Sequence, residues 1–329
     1  MRRSLLVALS ALLAGCGYPG DPLPPALNIP ERIADLRAVQ RGGRILVAFT
    51  APLMTTDQLA LKSLPAVEVF AGARPEGEFN TDAWAASAQV LTREPGPSPD
   101  ITLDLPTTPH EGRELVLGVR AIGPTGRRAP WSNLVTLWIV PPPAPPANLR
   151  ARAVEEGVYL EWDAGPGPDG RTWRVFRKAP DAEEFTLIGT AGEPSWLDRT
   201  TSFGQRYTYS LQTLVPAGDS TAESDSGNAL TIEPRDTFPP TTPAGLTVIA
   251  GVNSIELAWD RNTEADFAAY LLWRAEGDGD FVRLGDPLSA LSFSDTAIVS
   301  GRRYRYALSA RDNAGNDSPR SAPIEIIAP

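Results

Sequence analysis

The stretch "LRARAVEEGVYLEW", residues 149–162, decides the fold, because it returns 97 residues later as "LTVIAGVNSIELAW", residues 246–259. In both copies two runs of alternating apolar residues flank a polar turn, the pattern of two strands with one buried face. Each copy runs 13 residues from leucine to tryptophan, and "LRAVQRGGRILVAF", residues 36–49, keeps that spacing with a phenylalanine at its end. The matching offsets continue downstream. Trp173 in "WRVFR" lies 11 residues beyond Trp162 and Tyr207 in "GQRYTYSLQT" another 34 on; Tyr270 in "YLLWR" and Tyr304 in "GRRYRYALSA" follow Trp259 at the same two intervals. Fixed spacing of this kind marks a chain built from copies of one unit. The 33 prolines and 28 glycines spread along the 329 residues fit many short strands and turns.

On these residues the chain resembles the fibronectin type III family over about 32–329. The resemblance implies an all-β chain of three tandem immunoglobulin-like sandwiches of seven strands each, spanning 32–141, 142–236 and 237–329. It also implies that Trp162 and Trp259 sit between the sheets. Gly204 to Tyr207 and Gly301 to Tyr304 match the family's tyrosine corner, where the phenol hydroxyl bonds back to the backbone. "DNAGNDSP", 312–319, matches a tight turn after the same strand. The first copy departs: Phe49 replaces the tryptophan and Leu115, in "GRELVLGVRA", replaces the corner tyrosine. From Phe49 to Leu115 is 66 residues against 45 from Trp162 to Tyr207, so 21 are extra. About seven are expected within 52–66 and the rest within 71–110, since sandwich loops tolerate insertion. "PPPAPP" (141–146) and "TFPPTTP" (237–243) read as semi-rigid spacers, so the copies are expected to stand in a row.

At the N-terminus, Arg2 and Arg3 precede an apolar run, Leu5 to Leu13, and small residues before Cys16, which reads as a secretory signal over 1–15. At about 1.5 Å per helical residue this run is too short to span a bilayer. Leu13-Ala14-Gly15-Cys16 resembles the lipobox of bacterial lipoproteins. The resemblance implies cleavage between Gly15 and Cys16 and acylation of Cys16, diacylglycerol and a palmitate-like chain together giving a stable anchor. Gly17 stands where such families place an inner-membrane retention aspartate, so in a two-membrane organism the outer membrane is favoured. Residues 16–31 form a Pro-rich tether.

Loss of Arg2 and Arg3 with the leader takes the formal net charge from −10 to −12. So acidic a chain is a poor partner for nucleic acid, whose binding rests on Lys and Arg against phosphate. Cys16 is the only cysteine, so no internal disulfide can form. His110, in "TTPHEG", is the only histidine, and without a Gly-x-Ser-x-Gly elbow it reads as a loop residue. One His and one acylated Cys make no zinc site. "EGDGDF" (276–281) and "DRNTEADFAAYL" (260–271) lack the glycine and glutamate of a calcium loop. No catalytic residue, metal or cofactor is therefore expected.

Among the aromatics outside the repeat pattern, Trp84 in "NTDAWAAS" and Trp131 in "APWSN" fall in the irregular parts of the first copy. They fill a core lacking its usual aromatics, or form an exposed ligand platform. The expectation is a non-catalytic, lipid-anchored envelope protein that binds or scaffolds an envelope protein through exposed strand edges. The alternative is a polysaccharide or cell-wall binder using Trp84 and Trp131.

Overall fold

The computed structural model describes residues 27–329; Gly15, Cys16 and most of the tether lie outside the described residues. Two compact units are present. Unit 1 gathers residues up to Pro143 together with Pro216–Glu223, and unit 2 gathers Ala144–Val215 with Ser224–Pro329.

Unit 1 contains β1 (Arg37–Arg41), β2 (Arg44–Thr50), β3 (Ala66–Ala73), helix α1 (Thr81–Ser87), β4 (Gln89–Arg93), β5 (Asp100–Pro106), β6 (Glu114–Ile122) and β7 (Val135–Trp138). One antiparallel layer runs β1-β2-β5, the other β4-β3-β6-β7. Alternation decides what faces inward: Ile45, Val47 and Phe49 of β2 meet Val67, Val69, Leu115, Leu117 and Val119 in one buried cluster. Leu115 is fully buried, so the lost tyrosine is replaced by packing.

The chain continues with β8 (Ala147–Val154), β9 (Gly157–Asp163), β10 (Thr172–Lys178), β11 (Thr186–Ala191), β12 (Ser195–Asp198) and β13 (Tyr207–Ala217, whose last two residues fall in unit 1), then β14 (Ser220–Glu223) and, back in unit 2, β15 (Leu230–Ile232). The final strands are β16 (Thr247–Ala250), β17 (Ile255–Ala258), β18 (Phe267–Glu276), β19 (Val282–Arg283), β20 (Ser292–Asp295), β21 (Arg303–Asp312) and β22 (Ile324–Ile327). Layers β8-β9-β12 and β11-β10-β13-β15 form one sandwich, β16-β17-β20 and β19-β18-β21-β22 the next. β14 belongs to unit 1, where it meets β1 in a single parallel bridge, Arg41 to Glu223.

Three times, then, a three-stranded layer faces a four-stranded one, the seven-stranded sandwich that the resemblance to fibronectin type III implies. The decisive stretches supply the same buried triplet in each: Ile45-Val47-Phe49, Val158-Leu160-Trp162 and Ile255-Leu257-Trp259. Trp162 packs edge-on to Trp173 at 5.8 Å and Trp259 to Tyr270 at 5.5 Å. Both corners form: the Ser202 N–H donates to the Tyr207 hydroxyl at 3.0 Å and the Val299 N–H to Tyr304 at 3.1 Å. The turn after β21 closes through Asp312, whose carboxylate accepts from the Asn316 N–H at 2.8 Å.

The insertion in the first copy departs from an all-strand reading, because it holds α1. The Asn80 side chain caps this helix, accepting from the Ala83 N–H at 2.9 Å, and its buried residue is Trp84.

Candidate functional site

The outer face of the β4-β3-β6-β7 layer in unit 1 carries the aromatics singled out in sequence. Alternation points Phe70 and Gly72 of β3, and Val116 and Gly118 of β6, away from the main core. α1 lies over them and lowers Trp84 into a second small core with Phe70 and Val116, against which Phe79 and Trp131 pack. A Cβ on Gly72 would lie 2.9 Å from the Trp84 ring nitrogen, and one on Gly118 would meet Leu134 at 2.8 Å and Trp84 at 3.1 Å. Only glycine leaves that slot open.

Trp84 and Trp131 are brought together, with ring centres 5.5 Å apart. Trp84 is completely buried, and its indole N–H donates to the Gly72 carbonyl. The exposed platform made by this pair is therefore corrected: Trp84 fills a core, and Trp131 is partly covered, with the Arg120 guanidinium 4.9 Å from its ring centre. Glu68 on the same face takes a two-pronged contact from Arg128 at 2.7 and 2.8 Å, which holds its carboxyl below the usual range.

At the other end of this face stands an aromatic that is not covered. Trp138 ends β7, faces Glu114 across the ladder, and is 45% exposed. It borders a pocket of about 280 Å³ shared with Arg74, Glu114, Thr136, Asp219 and Ser220. Arg74 and Glu114 form an ion pair at 3.5 Å. Gly218 has a φ of +59°, and a Cβ there would press on Trp138 at 3.2 Å. Glycine leaves the root of the ring room there, and Trp138 stays partly exposed.

The strongest electrostatic feature of unit 2 is internal and occurs twice. Asp198 accepts from the Arg177 guanidinium at 2.8 Å, the Tyr209 hydroxyl at 2.9 Å and the Thr200 N–H at 3.0 Å. Asp295 accepts from Arg274 at 2.7 Å, Tyr306 at 2.7 Å and the Ala297 N–H at 3.0 Å. Burial, then the neighbouring carboxylate, pushes both tyrosine hydroxyls above their ordinary range. Burial opposes ionisation of Asp198, but the donors from Thr200, Tyr209 and Arg177 outweigh it and hold its pKa low. Each Arg also lies over the corner tyrosine's ring, at 5.3 Å for Tyr207 and 5.2 Å for Tyr304. Every oxygen is satisfied from within the sandwich, which makes the network structural. Sequence reasoning missed it, although Arg and Asp stand 21 residues apart in both copies.

His110 sits in a tight turn, Thr108–His110, ahead of β6, and burial, then Arg113, holds its pKa below the ordinary value. Among the described residues, the carboxylates of Asp236, Asp266 and Asp312 approach within 4.8 Å of one another. Asp312 is bonded to Asn316, and Asp236 accepts from the Phe238 N–H. "EGDGDF" is a hairpin tip between β18 and β19, closed by the Gly279 N–H donating to the Glu276 carbonyl.

No protein-family model matches the chain. It is similar to exoglucanase B of Cellulomonas fimi, 28% identical over 191 residues, covering 56% of this chain and 16% of that one. Chitinase A1 of Niallia circulans is 30% identical over 212 residues, 59% of this chain and 28% of its own. An amylopullulanase of Thermoanaerobacterium saccharolyticum is 28% identical over 106 residues, 32% of this chain and 7% of its own. The chain thus spans less than a third of the curated relatives it matches. Among solved structures, the FN1–FN3 domains of chicken CNTN1 align over 91% of this chain and 99% of that one, at 14% identity and a TM-score of 0.30. An Fn3-like protein from Clostridium thermocellum aligns over 28% of this chain and 96% of its own, at 23% identity and 0.25.

Proposed function

We propose that this array of fibronectin type III sandwiches is a non-catalytic, carbohydrate-associated binding protein, held at the cell envelope by lipid on Cys16. One observation supports it most. The similarity to an exoglucanase and a chitinase runs to 191 and 212 residues, about the length of two sandwiches, yet takes up only 16% and 28% of those enzymes, and that to an amylopullulanase runs to 106 residues and 7%. The shared stretch is thus only a small part of each enzyme. The shifted titrations at Asp198, Tyr209 and Tyr306 belong to networks closed within the fold.

Incubating the full chain with cellulose, chitin and starch tests this reading. Depletion of the protein onto one of them, without release of reducing ends, is the expected result; reducing ends would make it an enzyme. Docking of an envelope protein is the second reading, supported by the outer edge strands β4, β11 and β19, which leave Val90 and Leu91, Leu187, and Val282 exposed. Such edges accept an added strand. Capture of one envelope protein that is lost in Leu91→Lys or Leu187→Lys, with no polysaccharide bound, would favour it.

A further inference from the structure

We propose that the pocket beside Trp138 is the sugar-binding site, taking one neutral pyranose unit of a polysaccharide; the proposal rests on the carbohydrate-associated reading. An indole is the broadest apolar surface a side chain offers, and leaving it 45% exposed on a strand has a solvation cost that packing does not recover. Here the strand register explains the exposure without filling it: Leu137 turns into the main core, so Trp138 must turn out. α1 covers the aromatics at one end of this face and stops short of the other. A pyranose has an apolar face of axial C–H groups and a rim of hydroxyls, and the pocket offers both complements. The Trp138 ring supplies the stacking face. Arg74, Glu114, Asp219 and Ser220 supply charged and hydroxyl groups around it.

The cavity of about 280 Å³ lies just below the roughly 300 Å³ at which small-molecule clefts begin, so it suits a single ring. Charge narrows the choice further. Two carboxylates at the rim, on a chain of formal net charge −10, disfavour uronic acids and phosphorylated sugars. The Arg74 guanidinium is engaged by Glu114, which leaves the pair to donate to and accept from neutral hydroxyls. Glycine at 218 keeps a side chain out of the space beside the root of the Trp138 ring.

The test titrates the full chain in detergent with cellohexaose, chitohexaose and maltohexaose in parallel, comparing wild type with Trp138→Ala and Asp219→Asn. Both substitutions are at exposed positions, and circular dichroism with thermal melting checks that each variant is folded. Binding of one probe by wild type, weakened about tenfold or more in Trp138→Ala and by a smaller factor in Asp219→Asn, is the expected result. Binding that is unchanged in Trp138→Ala overturns the site while the carbohydrate reading stands. Binding of none of the three probes by wild type overturns that reading and the site with it.

Discussion

At Asp198 and Asp295 a carboxylate is almost wholly buried, 3% and 2% exposed, and each is made tolerable by an arginine, a tyrosine and a backbone N–H. The first sandwich carries none of these groups. Strand pairing sets Asp198 opposite Val158, Asp295 opposite Ile255, and Leu105 opposite Ile45; likewise Arg177 faces Tyr209, Arg274 faces Tyr306, and Ala71 faces Leu117. Leu105, Ala71 and Leu117 thus replace the whole triad with apolar side chains. Removing one partner of a buried ion pair is expensive, whereas replacing all of it by apolar groups is often close to neutral. Arg177→Ala should therefore destabilise by about 3 kcal/mol, and the triple change Arg177→Ala, Asp198→Leu, Tyr209→Leu by less than that single change, as read from urea unfolding. Tyr207→Phe, which removes only the corner bond, should cost about 1 kcal/mol in the same assay. Glu264 gives a pH prediction. Burial opposes its ionisation, but donors from Thr241, its own N–H and Asn262 bring its pKa from 4.5 down to about 2. A depressed carboxylate stabilises the fold above its unfolded pKa and loses that contribution as pH falls through the folded one. Melting temperature should fall between about pH 4.5 and 2, and Glu264→Gln should flatten that part of the profile.

Among the elements, α1 is the one that strand periodicity could not show. Its cap was legible in Asn80-Thr81-Asp82, a helix start by side-chain chemistry, but seven residues carry too little periodicity to compete with a surrounding strand pattern. The β2, β9 and β17 triplets were legible because alternation writes the buried face directly into adjacent positions. The Arg–Asp–Tyr networks were not, because a charged residue on a strand reads as solvated until the strand opposite is known. The exposure of Trp138 is not legible either: four residues of β7 do not reveal which face meets water. For α1 the structure predicts that Trp84→Ala, which empties the slot between Gly72 and Gly118, destabilises unit 1 by about 3–5 kcal/mol. Gly118→Val should be comparably damaging through overpacking against Leu134. Calorimetry of the two variants reads both effects.

For the whole molecule, the proposed function puts the sandwiches at the envelope through a leader and a lipid on Cys16. No helix among the described residues is long and apolar enough to cross a membrane; the proposed function places attachment at Cys16. Cys16→Ser should move the protein from the membrane to the soluble fraction, with mass spectrometry showing an unacylated N-terminal peptide. The two ways of filling the same interior corner also bear on how such arrays change over time. Between the charged triad and its apolar substitute, single-step intermediates hold a buried group without its partner, so each such step costs stability. The second and third sandwiches share one solution, so a strand carrying Arg, Asp or Tyr finds its partners in either; moved into the first sandwich, opposite Leu105, Ala71 or Leu117, it would be left with a buried group unpaired.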